Sequence, residues 1–536
     1  MKSEQQELTQ RELIEQEIIN LIKANTKIIQ IISYETRLIH AYLVGAAKDL
    51  GRDLYLWNRV EGIKKWNMEE GGVSVEDGEA RSPERAFSFF SEKENIILLL
   101  EDFHPDLGDN QPHTIKRLRN AAMGSTKQEK TLILSQPFRQ LPRELEKEVH
   151  IMELPYPSFD DLESTLKKVC HTYDTSVPDD RIRLIEAALG LTIMEADKAF
   201  SLAYIESGKL TDAEVPLIIR EKESVIKKSG YLEYFHPKEN MKDVGGLGVL
   251  KEWLRKRGRA FDKGAEKFGL IYPRGILLLG IPGTGKSLTA KAIGNLWQFP
   301  LLRLDMGKIF GGIVGESEKN ISGALGIAEA IAPSILWIDE IEKAMAGLES
   351  SGSSDGGTTS RVLGTFLTWM QEKTKPVFVI ATANDISKIP PELLRKGRMD
   401  EIFFVDLPTK NEREEIIKIH LDKKKREPDD FNISELALKS KGFSGAELEE
   451  VVKEALFQAY DSGRTLRDED LFNAIEKTFP LSKTMHESIE KMREWAKSRT
   501  VAASEEKPES FKEWENDNVP KLRQESYDNW FVQEAK

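Results

Sequence analysis

Short apolar runs that end in polar or glycine-rich segments recur along the chain. In the C-terminal half they include Ile276–Leu279, Ser334–Ile338 and Val377–Ile380, and the helix-like stretch Leu288–Trp297 comes soon after the first. Apolar runs of this length that alternate with amphipathic segments are typical of buried parallel strands connected by helices. The pattern therefore predicts an α/β fold whose parallel sheet is covered on both faces.

The N-terminal half repeats this order of elements. An apolar run that ends at Leu100 is followed by Glu101 and Asp102, just as the run before Asp339 is followed by two acids. Three further pairs have matching form: Thr131–Gln136 with Val377–Asn384, Leu141–Leu145 with Ile389–Leu393, and His150–Pro155 with Phe403–Pro408. Four elements in one order, at a slowly drifting offset, predict two tandem copies of one α/β module.

A glycine-rich segment, Gly280–Ser287, lies between the run Ile276–Leu279 and the following helix-like stretch. Strand, glycine-rich loop, Lys-Ser pair and helix form the arrangement of a phosphate-binding loop. Glycines let several backbone N–H groups point inward, and the helix N-terminus adds positive potential where phosphates bind. Lys286 is placed to reach the β- and γ-phosphates, and the Ser287 hydroxyl is placed to ligate Mg²⁺. The segment predicts a nucleoside triphosphate site.

The first copy lacks this loop. After Ile29–Ile32 the chain continues as Ser33–Tyr42, which has no glycine and no Lys-Ser pair. A loop of that composition cannot cradle a triphosphate, so we expect the first copy to be catalytically inactive. Glu101 and Asp102 are then expected at a strand end that faces solvent or a neighbouring module, and not at a metal site.

Two acids and an amide follow the strands of the second copy. Adjacent carboxylates at a strand end point in different directions, so Asp339 is predicted to hold Mg²⁺ while Glu340 polarises the attacking water. Asn384 ends the next strand, and its amide is placed to hold that water or a γ-phosphate oxygen. The alternative for Asn384 is a simple turn residue beside Asp385.

Arg395 and Arg398 lie beyond the strand that ends at Asn384. A guanidinium offers paired donors to phosphate and stays protonated. Because of their place in the chain, we expect both arginines to act on the nucleotide of a neighbouring copy. An arginine finger of this kind is worth roughly 10³–10⁵ in rate, and a head-to-tail contact closes into a ring when the rotation allows.

These motifs resemble the AAA branch of the AAA+ ATPases from about residue 240 to 480. The corresponding segments are Asp243–Leu247 for the opening motif, Gly280–Ser287 for Walker A, Ile335–Glu340 for Walker B, Asn384 for sensor 1, Arg395 and Arg398 for the arginine fingers, and Gly442–Leu448 for the lid helix. The resemblance implies that ATP is bound by Gly245, Pro282, Gly283, Thr284, Gly285, Lys286, Ser287, Leu288, Gly445 and Ala446, with Mg²⁺ at Ser287 and Asp339.

A narrower resemblance is to AAA proteins of cyanobacteria and of red-lineage plastid genomes. These pair a degenerate N-terminal ATPase-like region with segments similar to Lys227–Tyr234, Asp243–Leu247 and Lys251–Gly258. The implied fold is α/β, with two tandem P-loop-NTPase-like modules, the first degenerate and the second followed by an α-helical lid. The predicted divisions are residues 1–205 for the degenerate domain, 206–236 for a linker, 237–425 for the large ATPase subdomain, 426–500 for the lid and C-terminal helix, and 501–536 for an acidic, partly mobile tail.

Some positions depart from the AAA pattern. Ile313 stands where unfoldases of this class carry a pore aromatic, and it lacks the large flat face of an aromatic ring. Lys396 replaces the usual proline between the arginines. The stretch Gly347–Gly357 is interpreted as a second pore loop or as a disordered insert. In the tail, Trp514 and Trp530–Phe531 either dock on the protein's own surface or bind a partner.

Composition narrows the functional classes. The 536 residues are 40% apolar and 31% charged, which is typical of a globular protein with several domains. A net charge of −13 disfavours binding to a nucleic-acid backbone, although the basic stretch Lys251–Arg259 leaves a nucleic-acid ATPase as a third candidate. There is no run of roughly 18–20 apolar residues, no signal-peptide core and only one cysteine, Cys170. We therefore expect a cytoplasmic protein, stromal if it comes from a plastid, with no membrane span.

Together these observations predict a Mg²⁺-dependent ATPase that forms a homo-oligomeric ring, a hexamer by resemblance, and remodels an unidentified protein partner. The alternative is a slow ATP-gated binding switch or scaffold that threads no substrate. The missing pore aromatic favours the switch, and the complete active-site set with its arginines favours the motor.

Overall fold

The computed structural model describes residues 10–108, 111–123, 129–228, 230–262, 264–265, 267–310, 316–345, 358–395 and 397–506. The predictions for Ile313, Gly347–Gly357, Lys396 and residues 507–536 lie outside these ranges. The chain divides into two compact units, Met1–Lys228 and Ser229–Lys536. No helix in the described part of the chain is both long and apolar enough to span a bilayer.

The first unit contains a seven-stranded sheet. Its strands are β1 (Ile28–Ile32), β2 (Asp53–Asn58), β3 (Gly62–Asn67), β4 (Gly72–Asp77), β5 (Ile96–Leu100), β6 (Lys130–Gln136) and β7 (Val149–Glu153). The sheet order is β4-β3-β2-β5-β6-β1-β7. Neighbours from β2 to β7 are parallel, whereas β3 and β4 add an antiparallel extension that the apolar pattern did not predict.

Helices cover the sheet and continue into a separate helical layer. They are α1 (Gln10–Lys23), α2 (Thr36–Leu50), α3 (Pro83–Glu92), α4 (Pro112–Ala122), α5 (Phe159–Thr172), α6 (Arg181–Ala188), α7 (Ile193–Ser207) and α8 (Val215–Lys228). Alternate strand residues, such as Ile28 and Ile29, enter different apolar cores on the two faces of the sheet. Both faces are therefore covered, as predicted from the strand pattern.

The structure differs from the linker predicted for residues 206–236. Ile218 and Ile226 of α8 are buried, and Ile218 packs in the apolar core that α5, α6 and α7 form. The charged appearance of this stretch comes from the solvent-facing side of an amphipathic helix. Beyond α8, Leu232–Phe235 forms a strand of the second unit, so most of the predicted linker is ordered structure.

The second unit also contains a seven-stranded sheet. Its strands are β8 (Leu232–Phe235), β9 (Gly275–Gly280), β10 (Leu301–Leu304), β11 (Ser334–Ile338), β12 (Val377–Ala383), β13 (Glu401–Val405) and β14 (Val501–Ala502). The sheet order is β14-β13-β9-β12-β11-β10-β8, and only β8 runs antiparallel to its neighbour.

The two sheets share one core topology. In the first unit the parallel strands lie in the order β7-β1-β6-β5-β2, and in the second unit they lie in the order β13-β9-β12-β11-β10. When these five strands of each unit are numbered one to five along the chain, both sheets have the order five, one, four, three, two. The repeat predicted from the sequence is therefore a repeat of the fold, and the predicted α/β class is confirmed.

The helices of the second unit surround its sheet and form the lid. They are α9 (Gly248–Gly258), α10 (Lys286–Trp297), α11 (Met306–Phe310), α12 (Glu316–Ala330), α13 (Ile341–Met345), α14 (Thr358–Glu372), α15 (Lys410–Lys423), α16 (Ile433–Lys439), α17 (Gly445–Asp461), α18 (Asp468–Lys477), α19 (Leu481–Thr484) and α20 (His486–Ala496). Ile417 and Leu421 of α15 belong to the apolar core of the lid. By packing, α15 goes with the lid and not with the large subdomain, to which the predicted boundary at residue 425 assigned it.

The tail predicted from residue 501 begins with ordered residues. Val501 and Ala502 pair with Phe403 and Phe404 of β13, and the backbone N–H of Ala503 donates to the Phe404 carbonyl at 3.0 Å. The acidic composition of this region gave no sign of a strand, because only two residues, Val501 and Ala502, pair with the sheet.

Candidate functional site

A bend of the backbone after β9 forms the phosphate-binding loop. Gly283 and Gly285 have φ values of 78° and 87°, in the left-handed region that favours glycine. A Cβ at Gly283 would lie 2.9 Å from the Ser444 hydroxyl, so the lid leaves no room for a side chain there. The loop leads into α10 at Lys286, so that the N-terminus of a 12-residue helix faces the loop.

Lys286 is held inside this loop. Its side chain is buried, and its Nζ donates to the Gly280 carbonyl at 2.9 Å and to the Ile281 carbonyl at 2.7 Å. Burial lowers the pKa of the Lys286 ammonium to about 8, although nearby carboxylates, including that of Asp339, act in the opposite direction. The ammonium is therefore fixed where phosphate oxygens would enter the loop.

One carboxylate oxygen connects the loop to the sheet. The Ser287 hydroxyl donates to Asp339 Oδ1 at 2.8 Å, and the Thr382 hydroxyl donates to the same oxygen at 2.6 Å. Hydroxyl and carboxylate oxygens are ligands that Mg²⁺ prefers, so Ser287 and Asp339 are chemically suited to the magnesium ion predicted for them. Thr382 fixes the carboxylate from the neighbouring strand β12.

Glu340 is presented by an unusual backbone conformation. Its φ is 51°, and its N–H donates to the Thr382 hydroxyl at 2.9 Å. The Asn384 amide donates to Glu340 Oε1 at 3.3 Å, while the Asn384 N–H donates to Glu342 Oε1 at 3.0 Å. A non-glycine residue in the left-handed region costs energy and is frequent at functional sites. The geometry holds the acid and the amide predicted for water activation side by side.

Glu342 is a buried acid next to these groups. It is 4% exposed, and burial raises the pKa of its carboxyl group. Its Oε1 accepts from the Asn384 backbone, so it helps to fix the end of β12. Its charge also acts on Lys286 of the nucleotide loop and opposes the burial that lowers the pKa of that residue.

The lid closes one side of a cleft of about 400 Å³. The N–H of Ala446, in the first turn of α17, donates to the Gly283 carbonyl at 3.0 Å. Ile416 of α15 lies so close to Gly245 that a Cβ on the glycine would be 2.6 Å from its Cγ1. The cleft is lined by Asp243, Val244, Gly245, Pro282, Gly283, Thr284, Gly285, Lys286, Ser287, Leu288, Glu340, Thr382, Asn384, Ile416, Ile419, His420, Gly445, Ala446 and Glu449.

Every residue that was predicted to hold ATP lines this cleft, as do Glu340 and Asn384. The predicted metal ligand Asp339 is not among the lining residues, but its carboxylate accepts from the Ser287 hydroxyl. Arg395 and Arg398 are not among the lining residues. Arg395 is exposed, and Arg398 Nη1 donates to the Glu392 carbonyl at 2.5 Å. The structure thus brings together all the predicted site residues except the two arginines.

The first unit keeps part of the same framework. Asp102 has a φ of 48°, which matches the φ of Glu340 at the corresponding strand end. Asp102 is exposed at this strand end, as expected, but the Glu101 side chain does not face solvent: it is 14% exposed and accepts from His40 at 2.6 Å and from Asn58 at 3.0 Å. Burial alone would raise the pKa of Glu101, but these hydrogen bonds hold it below the usual value. A local network with His40 of α2 and Asn58 of β2 thus holds Glu101 at the strand end.

Comparisons with known protein families agree with this architecture. The ATPase family associated with various cellular activities (AAA) matches residues 276–407, and the AAA+ lid domain matches residues 430–473. In the first unit, the SpoVK-like AAA ATPase N-terminal domain matches residues 14–154, and the second domain of that group matches residues 160–229.

Similar proteins extend over nearly the whole chain. The uncharacterized AAA domain-containing protein ycf46 of Guillardia theta is 38% identical over 487 residues, which is 90% of this chain and 94% of that protein. The protein of the same name from Trieres chinensis is 36% identical over 92% of this chain and 98% of its own length. The chain belongs to the AAA ATPases of the ycf46 family. A shorter match, 35% identical over 45% of this chain, is to the proteasome-activating nucleotidase of Aeropyrum pernix.

Sequence reasoning missed two supporting residues of this ycf46-family site. Thr382 is a buried hydroxyl within the otherwise apolar strand β12, and that contrast was its available signal. Glu342 follows the two predicted acids after a single isoleucine, but only the structure shows that its carboxylate turns back to β12. Ile416, Ile419 and His420 of α15 also line the cleft, and nothing local in the sequence marks them.

Proposed function

We propose that the second unit binds ATP with Mg²⁺ and hydrolyses it, and that copies of the chain assemble into a ring in which hydrolysis remodels a protein partner. The observation that carries the proposal is the joined set of contacts from Ser287 through Asp339 and Thr382 to Glu340 and Asn384. This set connects a cation site, an acid and an amide within one cleft. Such a set serves phosphoryl transfer to water.

The residues of the cleft have distinct roles in this proposal. Lys286 and the N–H groups of the loop bind and orient the phosphates, and Ser287 with Asp339 would hold the magnesium ion. Bound magnesium would neutralise charge that develops on the phosphate oxygens. Glu340 accepts a proton from water, and Asn384 holds Glu340 and that water in line.

The arginines supply the argument for a ring. Arg395 and Arg398 are absent from the lining of the cleft in their own copy, yet the resemblance assigns both to the nucleotide. A neighbour related by rotation would place them at the next cleft, and repetition of that contact closes a ring. The names of two partial relatives, a proteasome-activating nucleotidase and a cell division cycle protein 48 homolog, are compatible with a nucleotidase that serves a protein partner.

A mixing experiment tests the shared site. Turnover of ATP is measured for the wild type, Lys286→Ala, Glu340→Gln and Arg398→Ala, with Arg81→Ala as an exposed arginine control in the first unit. We expect loss of binding in Lys286→Ala, loss of turnover with retained binding in Glu340→Gln, and a fall of about 10³ or more in Arg398→Ala.

A mixture of Lys286→Ala and Arg398→Ala should regain part of the turnover, because some clefts then combine an intact loop with an intact arginine. Full activity of Arg398→Ala alone, or wild-type turnover by a strictly monomeric chain with saturating magnesium and ATP, would contradict the ring. Affinity capture with the Glu340→Gln form in ATP is the route to the partner.

A slow ATP-gated switch is the second candidate, and it is supported by Ile313 in place of a pore aromatic. Ile313→Ala separates the two once a partner is captured. We expect the variant to abolish remodelling by a threading motor and to leave a switch within about twofold, because a switch makes no use of a gripping side chain.

A further inference from the structure

The lid carries a groove of about 340 Å³ at the end of α15 that is separate from the nucleotide cleft. Phe457 and Tyr460 form its apolar wall. Both are large aromatic residues, and they are 72% and 85% exposed. Leu456 completes this wall on the same face of α17, and the buried Leu466 lies at its base. Exposed aromatic side chains at a concave surface are typical of a binding site.

The rim of this lid groove is basic. Lys453 pairs with Glu449 at 2.8 Å, and Arg464 pairs with Asp470 at 2.6 Å. Arg426 is exposed and, within the described residues, its side chain makes no ion pair. The exposed Lys424 lies beside it, so two uncompensated cations border the aromatic wall. An occupant with aromatic side chains and negative charge would complement both features.

The chain itself contains such an occupant. Residues 511–517 read Phe-Lys-Glu-Trp-Glu-Asn-Asp, in which Phe511 and Trp514 alternate with acids. We propose that this segment, called here the tail segment, docks in the lid groove, with Trp514 against Phe457 and Tyr460 and its acids toward Lys424 and Arg426.

The path of the chain makes this docking possible. The last described residues are tied to the start of α15: the Ser504 hydroxyl donates to Glu412 at 2.6 Å, and the Asn411 amide donates to Glu506 at 3.2 Å. The groove begins at Lys424, just past the other end of α15. This helix of 14 residues is about 21 Å long. Eight extended residues from Glu506 to Trp514 span about 27 Å, which is enough to follow the helix.

Charge favours the tail segment over a second copy. Another exposed apolar stretch of this unit, Phe268–Tyr272, is 85% exposed at Phe268 and is flanked by Lys267 and Arg274. Its flanks have the same sign as the rim of the groove and would repel it. The tail segment has three acids and one lysine, and its tether raises its effective concentration at the groove.

A competition experiment tests the proposal. The probe is a labelled synthetic peptide of residues 507–520. Fluorescence anisotropy measures its binding to the full chain and to a shortened chain that ends at Glu506. The shortened chain keeps every described helix and strand. We expect the shortened chain to bind the peptide at least tenfold more tightly than the full chain does, because the attached tail already fills the groove. Trp514→Ala in the full chain should restore peptide binding to the level of the shortened chain, whereas Trp530→Ala should not.

Two further variants locate the site. Arg426→Glu in the shortened chain should weaken peptide binding at least tenfold, and a peptide with Trp514→Ala should not bind even to the unchanged shortened chain. Equal peptide binding by the full and shortened chains, or no binding to the shortened chain, would overturn the proposal. If the shortened chain instead fails to bind the peptide and self-associates in a way that Tyr460→Ala abolishes, the proposal is overturned in favour of a second copy in the groove.

Discussion

Thr382 shows how a single hydroxyl organises the candidate site. It donates to Asp339 and accepts from the N–H of Glu340, so the cation ligand and the acid are held by one side chain from the neighbouring strand. The left-handed conformation of Glu340 needs such support, because only surrounding contacts keep a non-glycine residue there.

Thr382→Val keeps the shape of the side chain but removes both hydrogen bonds. We expect ATP turnover to fall by about 10- to 100-fold while nucleotide affinity changes little, because the loss affects the acid and not the phosphate loop. Steady-state turnover and binding of a fluorescent nucleotide measure the two effects. Thr165→Val, at a buried threonine of the first unit that donates to the Asp161 carbonyl, is the control, and an equal loss in both variants would contradict the role of Thr382.

The phosphate loop and the lid helix α17 constrain each other at the scale of elements. Gly283→Ala would force a side chain into the left-handed region and against Ser444. We expect at least about tenfold weaker nucleotide binding, because either the loop or the lid must shift. Gly326→Ala, in α12 with open space around the added Cβ, should bind nucleotide normally and gain about 0.5–1 kcal/mol in stability. Isothermal titration with ATP compares the two, and normal affinity in Gly283→Ala would contradict the proposed contact.

In the first unit, a buried acid joins α2 to α7. Glu35 is 4% exposed and accepts from the N–H of Ile193 at 2.5 Å, and burial raises the pKa of its carboxyl group to about 7. The native state therefore holds this proton more tightly than the unfolded chain does. The contribution of Glu35 to stability is therefore fully present below about pH 4.5 and is lost as the pH rises through about 7.

Glu35→Gln should remove this pH dependence, which amounts to about 3 kcal/mol between pH 4.5 and pH 8. The stability of the first unit at each pH is measured by urea unfolding of the full chain, with hydrogen exchange in the strands of that unit as the readout. The exposed Glu186→Gln serves as the control and should keep the wild-type slope. If stability falls equally with pH in Glu35→Gln, another group is responsible.

Elements were predictable from the sequence where local pattern decides them. The strands β9, β11 and β12 are continuous apolar runs with charged or glycine-rich ends, and the apolar pattern marked them. The strands β3, β4, β8 and β14 were missed because pairing with a neighbour, and not their own composition, makes them strands. The linker prediction failed for the same reason, since only the contacts of α8 reveal its buried side.

The whole molecule combines two copies of one topology, and the glycine-rich phosphate loop is found in the second copy. Lys286, Ser287, Asp339 and Glu340 were predictable because the loop and the strand end fix their spacing. The network of His40, Glu101 and Asn58 was not, because it joins parts of the chain that are distant in the sequence. The absence of the glycine-rich loop predicted an inactive copy, but it did not predict the network at Glu101.

A matched pair of substitutions tests whether the first copy takes part in ATP turnover. Glu340→Gln should abolish ATP turnover, whereas Glu101→Gln at the corresponding strand end should leave turnover within about twofold and lower the stability of the first unit by about 1 kcal/mol or more. Turnover and thermal unfolding of the full chain measure both effects. Comparable losses of turnover in the two variants would show that the first copy takes part in catalysis.

The two edges of the second sheet are formed by short strands from near the two ends of this unit, Leu232–Phe235 and Val501–Ala502. An uncovered strand margin is a template for aggregation. Removal of the chain from Thr500 onward would expose β13, with Phe403 and Phe404, to other molecules. Such a protein should sediment as insoluble material during expression, while a chain that stops after Glu506 stays dispersed.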